Sequence, residues 1–433
     1  MRNTTSPGRT PGLGCHVCAS MAQRHGILAQ GKNPMRRFAV LLLALSCTIT
    51  VHAAKPVARM RVAFDRDGVN ALQAQGMADV AAGRTITVDD PVRIASISKL
   101  VTTIGVMRLV EQGKLNLDAD VSKQLGWTLR NPSFPDRAIT LRMLLSHTSS
   151  LTDGAGYWNV PLGSELRTLT NDPKAWDSAH APGMYFRYTN LNFPLVAQLM
   201  ERATGERFDL LMRRLVLEPL KLDACFNWSG CSDKAIQHAV VLYDDKGTPQ
   251  KDDLHGVRPD CPVIVADHEA CDLARSKPGS NGALFSPQGG LRISVRDLAR
   301  IGRLLLNDGT LDGVRILKPS SVRILTTPVW TWNGSNGEIG EDDEPNRGGF
   351  FCSYGLAMQH LASGDGKHCR DDLFGDGRKR IGHSGNAYGL LSGLWVDRER
   401  GNGVAYFATG VANDSSGAHS AFSAIEEQAA AGW

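Results

Sequence analysis

The sequence predicts an α+β fold in which one antiparallel sheet is built from both ends of the chain and is flanked by helices. A strand-like segment lies near the amino end at residues 61–64. Near the other end, residues 390–396 and 403–409 flank a turn-rich stretch in the pattern of a hairpin. Apolar residues recur at helical spacing in between. We expect a sheet part at residues 54–97 and 285–433, and an inserted helical lobe at residues 98–284.

The helices follow from periodicity and from residues that stop a helix. Between residues 98 and 112 apolar side chains recur every three or four positions, and Gly113 follows as a stop. The same pattern predicts helices at residues 139–145, 192–204, 207–217, 295–306 and 421–431. Residues 76–80 form a weaker candidate strand, and residues 244–253 are polar and turn-rich. No internal repeat or long linker interrupts residues 54–433, which we expect to form one domain.

Composition limits the class of protein. The chain has 433 residues, of which 42% are hydrophobic and 21% are charged, values that exclude a disordered, collagenous or polytopic membrane protein. Lys and Arg number 48, and Asp and Glu number 44. Six of the basic residues and none of the acidic residues precede residue 55, so the remaining chain has a net charge of −2. This mildly acidic body argues against a protein that binds nucleic acid.

The first 53 residues have the pattern of an extension and a secretory signal peptide. Two arginines at 36 and 37 precede an apolar run at residues 38–45, and small residues follow at Ala53 and Ala54. The run is too short to span a bilayer, so we expect cleavage near Ala53, a periplasmic or secreted protein and no stable membrane insertion. Two alternatives are a metal site at Cys15 and Cys18 and a lipidated Cys47, but neither has the sequence context that it needs.

Six cysteines follow the expected cleavage point. An even number of cysteines in an exported protein suggests disulfides, and these six fall into three close pairs. Local pairing is the simplest of fifteen possible connectivities, and free buried thiols are the alternative. Local pairing predicts the bonds Cys225–Cys231, Cys261–Cys271 and Cys352–Cys369.

A serine and a lysine open the first strong helix, in the tetrad Ser96-Ile97-Ser98-Lys99. About one S-x-x-K is expected by chance in a chain of this composition, so the motif alone decides nothing. At a helix start, however, residues three apart share a face, which brings the Lys99 amine beside the Ser96 hydroxyl. The helix N-terminus also favours negative charge that develops during attack. The alternative is that Ser96 caps the helix and Lys99 is solvated.

Tyr188, followed by Thr189 and Asn190, is a candidate partner for this pair. A tyrosine beside a lysine ammonium can have a lowered pKa and accept a proton from serine. Tyr157 begins a rival Y-x-N sequence, but it lies in an apparent open loop, where its ring could line a substrate cleft. Either tyrosine could also be an ordinary packing residue.

The third candidate segment is His383-Ser384-Gly385-Asn386, at the start of the terminal hairpin. A glycine in a strand lets a ligand lie against the backbone. We expect backbone amides here to bind an oxyanion, and His383 and Ser384 to bind a substrate carboxylate or carbonyl. The alternative of a nucleophile elbow at Ser384 lacks the final glycine and the strand–turn–helix context of that motif.

The order S-x-x-K, Y-x-N and H-S-G resembles the serine penicillin-recognising enzymes. Within them it resembles the group of class C β-lactamases, D-Ala-D-Ala carboxypeptidases and related family VIII-type esterases. The segment from Ile139 to Leu151 is similar to a characteristic family segment, although Ser150 replaces a customary glycine. The resemblance extends from about residue 60 to the end, with the poorest fit at residues 225–285 and 328–375. It implies the β-lactamase/transpeptidase-like fold.

The resemblance also implies residue roles. Ser96 would be the acylated nucleophile, Lys99 and Tyr188 would share the proton transfers, and Asn190 would bind Lys99 or the substrate amide. Residues 383–385 would replace the family's K-T-G or H-T-G strand, and the amides of Ser96 and Asn386 would form the oxyanion hole. No E-x-x-L-N segment occurs, which disfavours a class A β-lactamase.

These observations predict an exported serine hydrolase that uses neither metal nor cofactor and cleaves a small ester, peptide or β-lactam. His383 replaces a permanent cation of true β-lactamases, which favours an esterase or D-amino-acid peptidase over a class C-like β-lactamase. A non-catalytic cell-wall-binding or β-lactam-sensing module is the alternative from another class. We expect residues 341–344 to be a solvated acidic loop, residues 65–68 to be a hairpin turn, and His147 and His268 to be structural.

Overall fold

The computed structural model describes residues 56–340, 348–364, 366–411 and 417–433. The expected signal peptide and the acidic residues 341–344 lie outside these ranges. No helix within the described ranges is long and apolar enough to cross a membrane.

The described residues contain strands that are mostly short in the middle of the chain and long at its two ends. In chain order they are β1 (Ala58–Asp65), β2 (Val69–Asp79), β3 (Arg84–Thr85), β4 (Val92–Arg93), β5 (Cys225–Phe226), β6 (Leu242–Tyr243), β7 (Pro249–Lys251), β8 (Leu291–Ile293), β9 (Thr310–Leu311), β10 (Val314–Arg315), β11 (Trp330–Thr331), β12 (Ser353–Tyr354), β13 (Gln359–Leu361), β14 (Arg380–Ala387), β15 (Leu390–Asp397) and β16 (Asn402–Thr409).

The α-helices of the described ranges lie mainly in the middle of the chain. They are α1 (Ile97–Glu111), α2 (Val121–Leu125), α3 (Leu141–Leu145), α4 (Asn192–Thr204), α5 (Phe208–Met212), α6 (Asp233–Gln237), α7 (Val295–Leu306), α8 (Pro319–Leu325) and α9 (Ala424–Ala431). Short 3-10 turns lie at Asp153–Ala155, Leu166–Asn171, Pro173–Ala175 and Leu273–Arg275, and a π-helical turn at Arg213–Leu217 continues α5.

One large antiparallel sheet combines both ends of the chain, as the sequence predicts. Its strand order is β11-β12-β13-β14-β15-β16-β1-β2-β3. The amino-terminal strand β1 pairs with β16 along its whole length, from Ala58 opposite Thr409 to Asp65 opposite Asn402. Burial alternates strictly along β1, because period-two side chains point to opposite faces of a sheet. The α+β fold class is confirmed.

A second, three-stranded sheet positions the start of α1. It has the order β4-β8-β5, so that residues just before the S-x-x-K tetrad are hydrogen-bonded to a distant part of the chain. Helix α1 follows at once, and its residues from Ile97 to Met107 are buried. The start of α1 is therefore held from both sides, by a short sheet and by the core.

The three predicted disulfides are all present. Cys225–Cys231, Cys261–Cys271 and Cys352–Cys369 join Cα atoms that lie 5.1, 5.7 and 5.8 Å apart. Each bond closes a short loop of 6, 10 or 17 residues in the two segments where the family resemblance is poorest. Local pairing, the simplest connectivity, is confirmed.

The elements differ from the sequence predictions in three places. The predicted helix at residues 207–217 is an α-helix only as far as Met212 and then widens into the π-helical turn. The weak strand at residues 76–80 is the end of the longer β2, and the turn-rich residues 244–253 include β7. Residues 65–68 form the expected turn, in which the Asp65 side chain accepts from the amides of Asp67 and Gly68.

Candidate active site

Ser96 lies at the N-cap of α1 and is partly exposed, whereas every other residue from 91 to 100 is buried. Its side chain accepts no hydrogen bond from the helix backbone, so it does not act as a cap. The second serine of the tetrad, Ser98, is fully buried and bridges the Ala95 carbonyl and the Leu291 amide. The Ser96 hydroxyl is thus the accessible one of the two.

Lys99 is fully buried, and its amine contacts oxygen atoms of Ser96, Asn190 and Gln288. Its Nζ lies 2.9 Å from Ser96 Oγ, 2.8 Å from Asn190 Oδ1 and 3.1 Å from the Gln288 carbonyl oxygen. The structure therefore joins Ser96, Lys99 and Asn190, which the sequence places 94 residues apart at their extremes. The solvated alternative for Lys99 is excluded by its burial.

Asn190 is held in turn by Asp153. The carboxylate of Asp153 accepts hydrogen bonds from the Asn190 amide, the Asn190 Nδ2 and the Leu191 amide at 2.9, 3.0 and 2.8 Å. Burial raises the pKa of Asp153, while these three bonds and the Lys99 charge oppose that rise. With Nδ2 fixed by Asp153, the opposite atom of the Asn190 amide group, Oδ1, faces Lys99.

Tyr188 lies beside the Lys99 amine in a cluster of aromatic rings. Lys99 Nζ is 4.8 Å from the centroid of the Tyr188 ring, and the His147 ring is tilted against that ring at 4.4 Å. His147 Nδ1 accepts from the Thr189 amide, which anchors the residue after Tyr188. Burial, followed by the Lys99 charge, lowers the pKa of His147 well below its usual range, so the ring is neutral.

Tyr157, the rival tyrosine, lies on the wall of the same cavity as Ser96. Its pKa is raised, first by burial and then by the Asp153 carboxylate, so its hydroxyl keeps its proton at neutral pH. Trp158 beside it is 61% exposed and lines the cavity as well.

The candidate residues 383–386 lie within strand β14. Three of them are buried in the fold, and one reaches the cavity. His383 is buried, its Nε2 lies 2.7 Å from the Tyr354 hydroxyl, and its Nδ1 contacts the Ser384 carbonyl. Since a carbonyl only accepts, Nδ1 carries the proton and Nε2 accepts from Tyr354. Burial and then the Lys99 charge lower the pKa of His383 to about 3, so this imidazole is neutral and offers no cation.

Ser384 and Gly385 are also buried, and only Asn386 of this segment reaches the cavity. Ser384 Oγ donates to Gln359 Oε1 within the sheet, which does not fit a nucleophile elbow. A Cβ atom on Gly385 would lie 2.4 Å from the Ile94 carbonyl oxygen. The chain that precedes Ser96 therefore occupies the space beside this glycine, and a ligand does not.

The backbone amides of Ser96 and Asn386 are the candidates for an oxyanion hole. Within the described ranges the Ser96 amide donates no hydrogen bond. Strands β14 and β15 are joined by the two-residue turn Tyr388-Gly389, and Ala387 pairs with Leu390. Since paired and unpaired residues alternate in an antiparallel ladder, the Asn386 amide points away from β15. The oxyanion role of these amides is still a prediction.

These groups line a cavity of about 1220 Å³. Ser96, Tyr188, Asn190 and Asn386 contribute to its wall, and residues from the segment 249–264 contribute as well. Sequence reasoning did not find Asp153, Gln288, Tyr354 or Arg93, another residue of the wall. The residues that surround them come from distant parts of the chain, so no local pattern could have indicated them.

One group of potential metal ligands occurs within the described ranges. Ligand atoms of Asp79, Asp253 and His255 lie within 4.8 Å of one another, and both Asp253 and His255 are exposed. Of these three residues, Asp253 also lines the cavity that contains Ser96. His147 is packed among aromatic rings and His268 lies at the surface.

Curated relatives cover part of this chain. It is 32% identical over 254 residues to the esterase EstB of Burkholderia gladioli, an alignment that covers 53% of this chain and 60% of EstB. It is 25% identical over 263 residues to penicillin-binding protein 4 of Amycolatopsis lactamdurans, covering 59% of this chain and 61% of that protein. The chain thus spans about three fifths of the length of these relatives.

Solved structures share the fold at low sequence identity. The D-amino acid amidase of Ochrobactrum anthropi SV3 superposes with a TM-score of 0.56 at 17% identity, covering 86% of this chain and 91% of the amidase. A D-stereospecific amidohydrolase from Streptomyces sp. gives 0.55 at 20% identity, covering 82% and 89%. The sequence model of the beta-lactamase family matches residues 54–428. This match spans most of the chain, and we conclude that the protein belongs to the beta-lactamase family.

Proposed function

We propose that this protein is an exported serine hydrolase that forms an acyl-enzyme on Ser96 and cleaves an ester or amide. The observation that carries the proposal is the hydrogen bond between the buried Lys99 amine and the one accessible hydroxyl of the tetrad. A nucleophilic serine needs a base within hydrogen-bonding distance, and Lys99 Nζ meets that requirement at 2.9 Å.

The partners of Lys99 would orient its amine as a base in the neutral form. Asn190 Oδ1 and the Gln288 carbonyl can only accept hydrogen bonds, so they occupy two N–H groups of the amine. A neutral amine has two N–H groups and one lone pair, and the lone pair would then face the Ser96 hydroxyl. As Ser96 attacks, its proton would pass to Lys99, and the resulting ammonium would donate to all three oxygen atoms.

Tyr188 would serve the departure of the leaving group, after which a water molecule would attack the acyl-enzyme, give its proton to the same groups and release the acid and Ser96. Its ring lies beside Lys99, between the helix start and β14, which suits a proton relay from Lys99 to the leaving group. The amides of Ser96 and Asn386 would stabilise the oxyanion. Each such donor is typically worth about 3–4 kcal/mol in the transition state.

The substrate class follows from the cavity and from the relatives. EstB is an esterase, and two proteins of similar fold are a D-amino acid amidase and a D-stereospecific amidohydrolase. The neutral, fully hydrogen-bonded His383 offers no cation where a β-lactamase would bind the carboxylate of its substrate. This supports an esterase or D-amino-acid peptidase over a class C-like β-lactamase.

Three disulfides support the proposal of export, since such bonds persist in oxidising compartments. We propose cleavage of the signal peptide near Ala53 and a periplasmic or secreted mature protein. Intact mass and amino-terminal sequencing of the protein recovered from the periplasm would test this. A cytoplasmic protein that keeps residues 35–53 would contradict it.

The experiment for the catalytic proposal is covalent labelling. The mature protein is treated with a fluorophosphonate and with penicillin, and adducts are mapped by peptide mass spectrometry. We expect a fluorophosphonate adduct on Ser96 that is lost in Ser96→Ala, whereas labelling persists in Ser384→Ala. Hydrolysis of 4-nitrophenyl butyrate should disappear with the same substitution while the melting temperature is retained. Labelling at another residue, or turnover by Ser96→Ala, would refute the proposal.

A further inference from the structure

Arg93 is a buried cation in the wall of the active-site cavity. It ends strand β4, three residues before Ser96, and is only 7% exposed. Its Nε is buried without a hydrogen-bond partner, and within the described ranges its guanidinium forms no hydrogen bond or ion pair. An unpaired buried charge is costly, and such a group is found where a ligand completes the site.

A second arginine, Arg292, lies opposite Arg93 and has the hydrogen-bond partners that Arg93 lacks. Arg93 pairs directly with Arg292 across strands β4 and β8, although like charges directly opposite each other destabilise a sheet. Arg292 is satisfied, because its Nε and Nη2 bind the Asp252 carboxylate at 3.1 and 2.7 Å and its Nη1 binds Asn227. Asp252 is buried as well, and although its charge attracts that of Arg93, both of its oxygens bind Arg292.

The charge of the two arginines together with Asp252 is therefore positive. Two buried arginines share one buried carboxylate, which leaves one positive charge uncompensated. Burial, and then the charge of Arg292, lowers the pKa of Arg93 to about 10, so the side chain is still cationic at neutral pH. The Arg93 guanidinium lies 5.1 Å from the centre of the Tyr388 ring, and Lys251 lies 5.7 Å from the same ring.

We propose that Arg93 binds a carboxylate of the substrate and makes the enzyme selective for anionic esters or amides. The inference rests on the proposed function, since it assigns the substrate class of the same cavity. A guanidinium presents two parallel N–H groups that match the two oxygens of a carboxylate. This subsite does not involve His383, which is turned to Tyr354 and does not line the cavity.

The test compares matched substrates that differ only in charge. The substrates are the 4-nitrophenyl monoesters of succinic, glutaric and adipic acid, each beside its neutral methyl ester. We expect the wild-type protein to favour the anionic member in kcat/KM by about 10- to 100-fold at the best chain length, the range of a charge-assisted hydrogen bond. Arg93→Gln should remove this preference, whereas Arg93→Lys should retain part of it.

Lys251→Gln is the matched control, because it removes an exposed positive charge from the same cavity. It should change the preference by less than about threefold, as expected for a solvated charge. Equal turnover of both esters by the wild-type protein would overturn the inference. So would an unchanged preference in Arg93→Gln, or an equal loss in Lys251→Gln. If Arg93→Gln fails to fold, the comparison of the wild-type protein with Arg93→Lys decides. A preference that is smaller in Arg93→Lys supports the inference, and an unchanged preference overturns it.

A failure of the proposed function has a different signature. In that case neither ester would be cleaved faster than by Ser96→Ala. The carboxylate site is then tested by calorimetric titration of Ser96→Ala with glutarate, with Arg93→Gln added as a second substitution. Binding that weakens at least tenfold would support the subsite, and binding that is absent or unchanged would overturn it.

Discussion

Replacing Asp153 by Asn tests whether a residue outside the reacting groups positions the base. The substitution keeps the shape of the side chain but replaces one acceptor oxygen by an NH2 group. Asp153 Oδ2 accepts from the amide and side chain of Asn190, and Oδ1 accepts from the Leu191 amide. Whichever way the new amide is turned, at least one buried N–H meets another donor.

The expected cost follows from these contacts. A hydrogen bond to a charged group contributes about 1.5–3 kcal/mol, and an unpaired buried donor costs about as much. We expect the free energy of unfolding to fall by about 2–4 kcal/mol. Because Asn190 Oδ1 binds Lys99, the loss of its anchor should also lower kcat by about 10- to 100-fold, with KM changed less.

Urea unfolding and ester hydrolysis measure the two effects. Asp253→Asn is the control, since it removes a negative charge from the same cavity but is exposed. It should leave the free energy of unfolding within about 0.5 kcal/mol of the wild-type value, and kcat within about twofold. The reasoning is refuted if Asp153→Asn matches this control, or if kcat is retained although stability is lost.

Two further predictions concern the sheet and the pH dependence of stability. Gly385→Ala should lower the free energy of unfolding by about 1–3 kcal/mol and lower kcat, because a Cβ would lie 2.4 Å from the Ile94 carbonyl oxygen. Gly68→Ala is the control, since a Cβ there would have no atom within 4 Å. Equal melting temperatures of the two variants would contradict the argument. Burial lowers the pKa of His360 to about 4, so the unfolded state binds a proton near pH 6.5 that the folded state does not. As the pH falls from 6.5 to 4, the free energy of unfolding of the wild-type protein should therefore fall by about 3 kcal/mol relative to that of His360→Gln. A difference between the two proteins in urea unfolding that stays constant with pH would show that His360 is not buried in its neutral form.

Local patterns were enough to place several elements. Helices α4 and α7 begin and end where periodicity and flanking residues predict, because a helix depends on residues three and four apart. The terminal hairpin was equally visible, since turn residues and alternation are local. The π-helical turn after Met212 was not predicted, because nothing in the helical pattern there marks a change of pitch.

The candidate site also has features that the sequence predicts and features that it does not. The spacing of Ser96 and Lys99 on one helix face was readable, and their hydrogen bond follows from that spacing. The side chain of His383 was expected to bind substrate, but the structure turns it to Tyr354, away from the cavity. Which face of β14 meets the cavity depends on its register with other strands, and register is a non-local property.

The sequence alone therefore determined the fold class, the local disulfide pairs and the order of the three motifs. Those features depend on short-range periodicity, spacing and composition. Only the tertiary structure decided that Asp153 holds Asn190 and that Arg93 lies beside Arg292 with a buried Nε that has no hydrogen-bond partner. These relations join residues that are 37 and 199 positions apart. Contacts at such separation are fixed by packing, and a local pattern carries no record of them.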